Sequence, residues 1–278
     1  MDEPVKGMTN EQRVAMAQTQ RRKVTIQNFV LSAISILLFF SIWQFVATTG
    51  IVFAGRLSSV TQVFSLFITK LTDPSPDGAV LLVHIWSSLQ VALIGFFLAI
   101  VIGVPLGWLM GWYRGFDSFV RPLFEIIRPI PPVSWIPLTI VWIGIGLPAR
   151  SFIVFFSAFV PCLINSYTGI RQTKEVLKNV GRTFGASNFT VFWKVGIPSS
   201  LTLMFAGVKV AIGNAWATLV AAEMLASSSG LGFMILMGRS FARVDLVILG
   251  LLTIGALGVV ISAIVNKLET VALRWKQL

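Results

Sequence analysis

An all-α bundle of about six membrane-spanning helices is the fold class that this sequence predicts, on three observations. The first is composition. Of 278 residues, 55% are hydrophobic and 12% charged, where a soluble domain carries about 25% charged residues. The second is a recurrence of apolar runs of about 20 residues, the length a helix needs to cross a hydrocarbon core about 30 Å thick with its backbone groups paired inside the segment. The third is charge placement. The 22 Lys and Arg outnumber the 11 Asp and Glu to give a net charge of +11. In a soluble chain that excess would raise the question of nucleic acid, but in a membrane protein basic residues collect in cytoplasmic loops and orient the spans.

Residues 1–28 are polar and are expected to form a cytoplasmic tail leading into an uncleaved anchor, with residues 29–278 a single transmembrane domain. The first span is expected from about Phe29 to Val46. An outside connection follows, in which Val60 to Leu71 reads as a short interfacial helix and Asp73-Pro74-Ser75-Pro76-Asp77-Gly78 as a loop. The second span is expected from about Ile85 to Met110. Its Gly103, Gly107 and Gly111 recur every four residues and leave one face bare, so another backbone can approach closely. Packing within one subunit and packing that shifts during a transport cycle would use the same residues.

The third span is placed at about Val133 to Ile145, short or broken, because Pro122, Pro129, Pro131, Pro132 and Pro137 interrupt the stretch before Gly146. Irregular backbone at membrane depth belongs against protein or a watery cavity, so this segment is expected to face the bundle interior. The fourth span is expected from about Phe152 to Ile170, the fifth from about Leu201 to Ala222 and the sixth from about Leu246 to Val265. With the N-terminus inside, 16 of the 22 Lys and Arg fall on inside segments, among them Arg114, Arg121 and Arg128. Five fall outside and Lys209 lies within a span, a distribution that supports six spans with both termini cytoplasmic.

Chemistry is scarce. One histidine, His84, cannot build a two-histidine metal site, and no metal site is expected. Cys162 is alone in an apolar stretch. The sequence contains no phosphate-binding G-x-x-x-x-G-K-[ST] loop and no G-x-S-x-G elbow, so work against a gradient would need its fuel consumed on another chain. On the fifth span Lys209, Trp216 and Glu223 are spaced by seven and share a polar face with Gly213. Lys209 falls roughly 15 Å into the span, near the midplane, and Glu223 about 21 Å further out. An ionisable group at the midplane faces a cavity or a partner, and an ammonium there favours anions. Bonding to carbonyls of a kinked neighbour, or snorkelling inward, is the structural alternative. Lys209, Gly213, Trp216 and Glu223 are therefore the candidate solute-path residues.

The inside loop 171–198 is long, amphipathic and basic. Lys174 to Thr183 reads as one short helix, Gly185 as a sharp turn, Ser187 as the N-cap of a second helix to about Val195, and Pro198 as a first-turn proline of the fifth span. A rigid helix-turn-helix of this kind suits the transmission of motion from a soluble motor. Its residues Arg182-Thr183-Phe184-Gly185-Ala186-Ser187, followed by Phe192-Trp193-Lys194-Val195-Gly196-Ile197-Pro198, resemble the EAA loop of ABC importer permeases, in which a glycine precedes an I-x-L-P ending by nine residues. Asn179, Val180 and Gly181 stand in the Glu-Ala-Ala places, so the carboxylate of that motif is missing.

Further stretches are similar to the nitrate, sulfonate and taurine branch of the family: Arg128-Pro129-Ile130-Pro131-Pro132-Val133-Ser134-Trp135-Ile136-Pro137, Trp142-Ile143-Gly144-Ile145-Gly146, and Gly213-Asn214-Ala215-Trp216 through Glu223-Met224 to Gly230-Leu231-Gly232. The resemblance covers about residues 85–265. It implies a type I ABC importer permease fold in a bacterial inner membrane, in lipid, with no nucleic acid among its partners. It further implies a second permease copy as a homodimer, two cytoplasmic ABC ATPases carrying ATP and Mg, and an extracytoplasmic solute-binding protein. The coupling residues would be Asn179, Gly181, Thr183, Gly185, Ala186, Ser187 and Pro198. Lys209 matches a position where the branch often carries a basic residue, which favours an anionic solute such as taurine, another sulfonate or nitrate. A secondary transporter or channel for a small anion would also explain the spans and Lys209, but not the cytoplasmic loop. An intramembrane enzyme lacks a nucleophile motif.

Overall fold

The structure, a computed structural model, describes residues 10–50 and 57–272, with no strand among them. Two compact units divide the chain at residues 65 and 66. The first contains α1 (Asn10–Thr49), whose apolar stretch Ile26–Thr49 is long enough to cross a bilayer. The helix starts inside the segment expected as a polar tail, and residues 1–9 of that tail lie outside the described residues. Near the end of α1 the Trp43 indole donates to the Ser58 carbonyl at 3.1 Å. Helix α2 (Val60–Lys70) matches the expected short helix.

The second unit is built on three long helices, α3 (Leu81–Trp112), α6 (Leu147–Arg171) and α9 (Ile197–Ala226). Glycines set the register between α3 and α6. A Cβ on Gly95 would meet Val154 at 2.8 Å, one on Gly103 would meet Cys162 at 3.2 Å, and one on Gly107 would meet Ser166 at 2.9 Å. Numbers rise together on both helices, so α3 and α6 run parallel, and the chain between them has to cross back. The glycine stripe packs inside one subunit. Between α6 and α9 the register is reversed: a Cβ on Gly169 would meet the Ser200 carbonyl at 2.9 Å, and one on Gly207 would meet the Pro161 carbonyl at 2.8 Å. Val91, Ala99, Val104, Ala158, Cys162 and Ala211 fill the seam between the three helices.

The return crossing is made of α4 (Arg114–Ile127), a 3-10 turn over Pro132–Trp135 and α5 (Ile136–Ile143), with an 83° bend between the two halves. The expected third span, Val133 to Ile145, is therefore only its second half. Arg121 and Arg128 lie on or against α4 and not in an inside loop. The prolines explain both departures: Pro122 sits in α4, while Pro129, Pro131 and Pro132 remove successive donors where the chain turns. Nor does α5 face wholly inward. Ile136 packs with Ile153 and Ala222, whereas Val141, Trp142 and Ile145 on the other side are exposed.

At the opposite end of α6 the chain forms α7 (Glu175–Thr183) and α8 (Asn188–Val191), and a π-helical turn over Phe192–Gly196 joins α8 to α9 in one apolar run, Asn188–Leu225. Past α9 comes α10 (Leu231–Ser240), a short helix between the expected fifth and sixth spans, and then α11 (Val244–Ala272), which returns antiparallel to α9. With α1 and the broken pair counted, six stretches among the described residues are long and apolar enough to cross a bilayer.

Candidate functional site

Three groups of residues stand out, at the two ends of the second unit and in its middle. At the end carrying residues 172–196, α7 and α8 form an elbow. Helix α7 ends with Gly185 N–H donating to the Arg182 carbonyl at 2.9 Å and Ala186 N–H to the Gly181 carbonyl at 3.0 Å. This Schellman closure needs a left-handed residue, and Gly185 has φ +76. Ser187 caps α8 by accepting from the Thr190 N–H at 3.2 Å. Gly181 lets the arms close up, since a Cβ there would meet Val191 at 3.1 Å. Thr183 donates to the Asn179 carbonyl at 3.0 Å within α7, and Pro198 sits in the first turn of α9.

The elbow is seated on the end of α3. Trp112 lies 5.6 Å from the Phe192 ring, Lys178 reaches over the Trp112 ring at 5.2 Å, and a Cβ on Gly196 would meet Trp112 at 2.8 Å. Its outer surface is apolar and open: Val176, Val180, Phe184, Phe189 and Trp193 are exposed, Phe184 to 86%.

In the middle, the structure keeps Lys209, Gly213 and Trp216 on the side of α9 that faces α11 and places only Glu223 apart from them. The Trp216 indole donates to the Ile254 carbonyl at 3.0 Å, which ties α9 to α11. Lys209 makes an ion pair with Glu269 of α11, and both side chains are only partly buried. Its Cα lies close to the level of Pro161, ten residues from the Arg171 end of α6 and so roughly 15 Å along it. Sequence reasoning missed Glu269. Its signal was there, since Glu269 is the one acidic residue between Leu246 and Leu278. Gly213 has nothing near its Cβ position, and with Ile212, Trp216, Gly258 and Ser262 it lines a cavity of about 140 Å³ that adjoins an open groove along α11.

Glu223 belongs instead to the opposite end, where it is 1% exposed. It accepts from the Ser88 hydroxyl at 2.8 and 2.9 Å and from the Gly232 N–H at 2.9 Å, with Arg150 Nη1 4.0 Å away. Ser88 also accepts from the Leu231 N–H at 2.8 Å. A carboxylate and a hydroxyl from other helices thus take the free donors at the start of α10. Gly230, at φ +125, brings its Cα against the Glu223 carboxylate, leaving no room for a side chain.

Arg150 donates to Ser227 Oγ at 2.6 Å and the Ser229 carbonyl at 3.1 Å, fixing the 227–230 turn. His84 extends this network. Its Nδ1 accepts from the Gly230 N–H at 3.1 Å, so the ring hydrogen belongs on Nε2, which faces Asp77 Oδ2 at 3.0 Å. Asp77 pairs with Lys70 as well. Burial acts to raise the Asp77 carboxyl, but hydrogen bonds from His84 and Lys70 outweigh it and hold the group below the usual carboxylate range. No motif announced this network, because its members are single residues spread from position 70 to position 232.

The family described as binding-protein-dependent transport system inner membrane component matches residues 103–271. The chain belongs to that family. This permease is 32% identical over 256 residues to the bicarbonate transport system permease protein of Synechococcus elongatus, covering 90% of this chain and 91% of that one. It is 28% identical over 254 residues to the taurine transport system permease protein of Escherichia coli, covering 91% and 90%. Among solved structures it is similar to a chain of the MetNI methionine ABC transporter in an inward-facing conformation, with a TM-score of 0.59 and 20% identity over 69% of this permease and 95% of that chain. The permease is thus a membrane component of an ABC importer with the fold of that class, and the polar α9 face and the elbow lie within the matched region.

Proposed function

We propose that this permease pairs with a second copy of itself to form the path for a small anion, and that two cytoplasmic ABC ATPases, which carry the ATP and Mg, dock on the 171–198 elbows. A binding protein would deliver the solute at the Glu223 end, and both termini would lie in the cytoplasm. The observation that carries this reading is the elbow. It presents exposed Val176, Val180, Phe184 and Phe189, and it continues without a break through Asn188–Leu225 into the helix that holds Lys209. A push on Phe189 therefore turns α9 as a rod, rather than being absorbed in a loose connection. An anion on the α9 face would compete with Glu269 for Lys209, and relatives named for bicarbonate and taurine support an oxyanion or sulfonate cargo.

The test is Gly185→Val. A β-branched residue in left-handed backbone costs at least about 1–2 kcal/mol and reshapes the elbow, although nothing crowds the Cβ position. The variant should insert normally while losing ATPase binding and uptake. Normal solute-stimulated ATPase activity would refute the coupling role.

A further inference from the structure

We infer that the cavity between α4 and α6 binds a small oxyanion on the cytoplasmic half of the path, a second cationic contact in addition to Lys209. The inference rests on the reading that the permease carries anions. It starts from how α4 climbs. Arg121 bonds to Tyr167, and the Phe124 ring lies 6.5 Å from that of Phe159. Tyr167 is four residues from the Arg171 end of α6 and Phe159 twelve, about 6 and 18 Å, so α4 climbs along α6 and does not lie on the membrane surface.

The helix has two unlike open sides. Phe119, Leu123 and Ile126 are exposed on one, while Ser118, Arg121, Glu125 and Arg128 follow one another on the opposite side. Ionisable groups on a membrane-crossing helix face water or a partner rather than hydrocarbon. On this polar side lies a cavity of about 160 Å³, lined by Arg121, Glu125, Arg128, Ile164, Tyr167 and Thr168 among others. That is about five times the ~30 Å³ that a water molecule occupies, enough for an anion of four or five heavy atoms.

Its donors are available. Arg121 is held by Asp117 at 2.7 and 2.9 Å, but Arg128 is tied only to Glu125, at 3.6 Å, and that pair is about half exposed. The Tyr167 hydroxyl accepts from both Arg121 and Arg171, whose guanidinium carbons lie 4.9 and 5.5 Å from its ring centre. With both lone pairs taken, its own hydrogen is free to donate. Two guanidinium groups against the one carboxylate of Glu125 in the lining leave a positive excess, and Arg128 and the Tyr167 hydroxyl, which line the same cavity, are donors suited to a planar or tetrahedral oxyanion.

The experiment uses the native background, in which the single cysteine, Cys162, is fully buried. Thr168→Cys would be introduced into the complete complex in nanodiscs and treated with an anionic sulfonate-bearing methanethiosulfonate or its cationic trimethylammonium analogue. Focusing of anions by the arginines should make the anionic reagent react about tenfold faster. The preference should vanish with Arg128→Gln, and millimolar nitrate or taurine should slow the reaction. Equal or faster reaction of the cationic reagent would overturn the proposal. So would a rate set by the anionic lipid fraction and indifferent to free anion, since a headgroup would then be the occupant. A thiol unreactive to both reagents would mean that a second copy covers the cavity, and would overturn it equally. Uptake of labelled nitrate and taurine by the unsubstituted complex tests the anion reading separately.

Discussion

Removing the Glu223 carboxylate should loosen the end of the permease at the start of α10 by an amount that the geometry sets. In Glu223→Ala, Arg150, 8% exposed at its side chain, loses the one carboxylate near it, and the Gly232 N–H and the Ser88 hydroxyl lose their acceptor. Breaking one side of a buried ion pair costs about 3–5 kcal/mol. In Glu223→Gln the amide oxygen can still accept from the Gly232 N–H and the Ser88 hydroxyl, but the NH₂ takes the place of the oxygen beside Arg150, which costs roughly 1–3 kcal/mol. At roughly 2–4 °C per kcal/mol for a chain of this size, the Tm should drop by about 6–20 °C for Ala and by clearly less for Gln. The chain supplies its own reporter. Cys162 is buried, so a thiol-reactive dye becomes fluorescent only as the bundle opens. A Glu223→Ala permease melting within about 2 °C of the parent, or a Gln variant worse than Ala, would refute the argument that this carboxylate is the acceptor on which the start of α10 depends.

Three other outcomes are expected. Gly107→Val should prevent stable folding, because even a Cβ would press into the Leu163 carbonyl and lie 2.9 Å from Ser166, whereas Gly115→Val, with nothing within 4 Å, should melt like the parent in the same dye assay. Lys209→Met should slow uptake of labelled taurine or nitrate in proteoliposomes, and adding Glu269→Gln should recover part of the rate by removing an unpaired negative charge; unchanged affinity and rate in Lys209→Met would make the pair structural. Because the folded Asp77 carboxyl is held below its ordinary value of 3.8, its contribution is present above that pH and is lost as pH falls through the lower folded value; Asp77→Asn should therefore flatten the fall of Tm with pH below about 4.

Long apolar runs located five spans, because the cost of an unpaired backbone group in lipid is written along one segment at a time. The elbow was legible for a similar reason. Gly185 and Ser187 act on neighbours within five residues, so the turn and the cap are local chemistry. Lys209 stood out as a lone cation in an apolar run, and the heptad spacing to Glu223 was real but said nothing about what lay opposite each residue.

The sequence by itself determined an all-helical membrane bundle, its glycine-lined α3 face and the helix-turn-helix between α6 and α9, since each follows from composition or from contacts a few residues apart. Only the tertiary structure decided that α3 and α6 run parallel, that the third crossing begins at Arg114 and bends by 83°, that Glu269 meets Lys209, and that Glu223, Ser88 and His84 together hold the 227–232 turn. Those facts join residues as many as 146 positions apart. A buried charge takes whichever partner the packing of the helices brings within reach, and no spacing along a single helix records that choice.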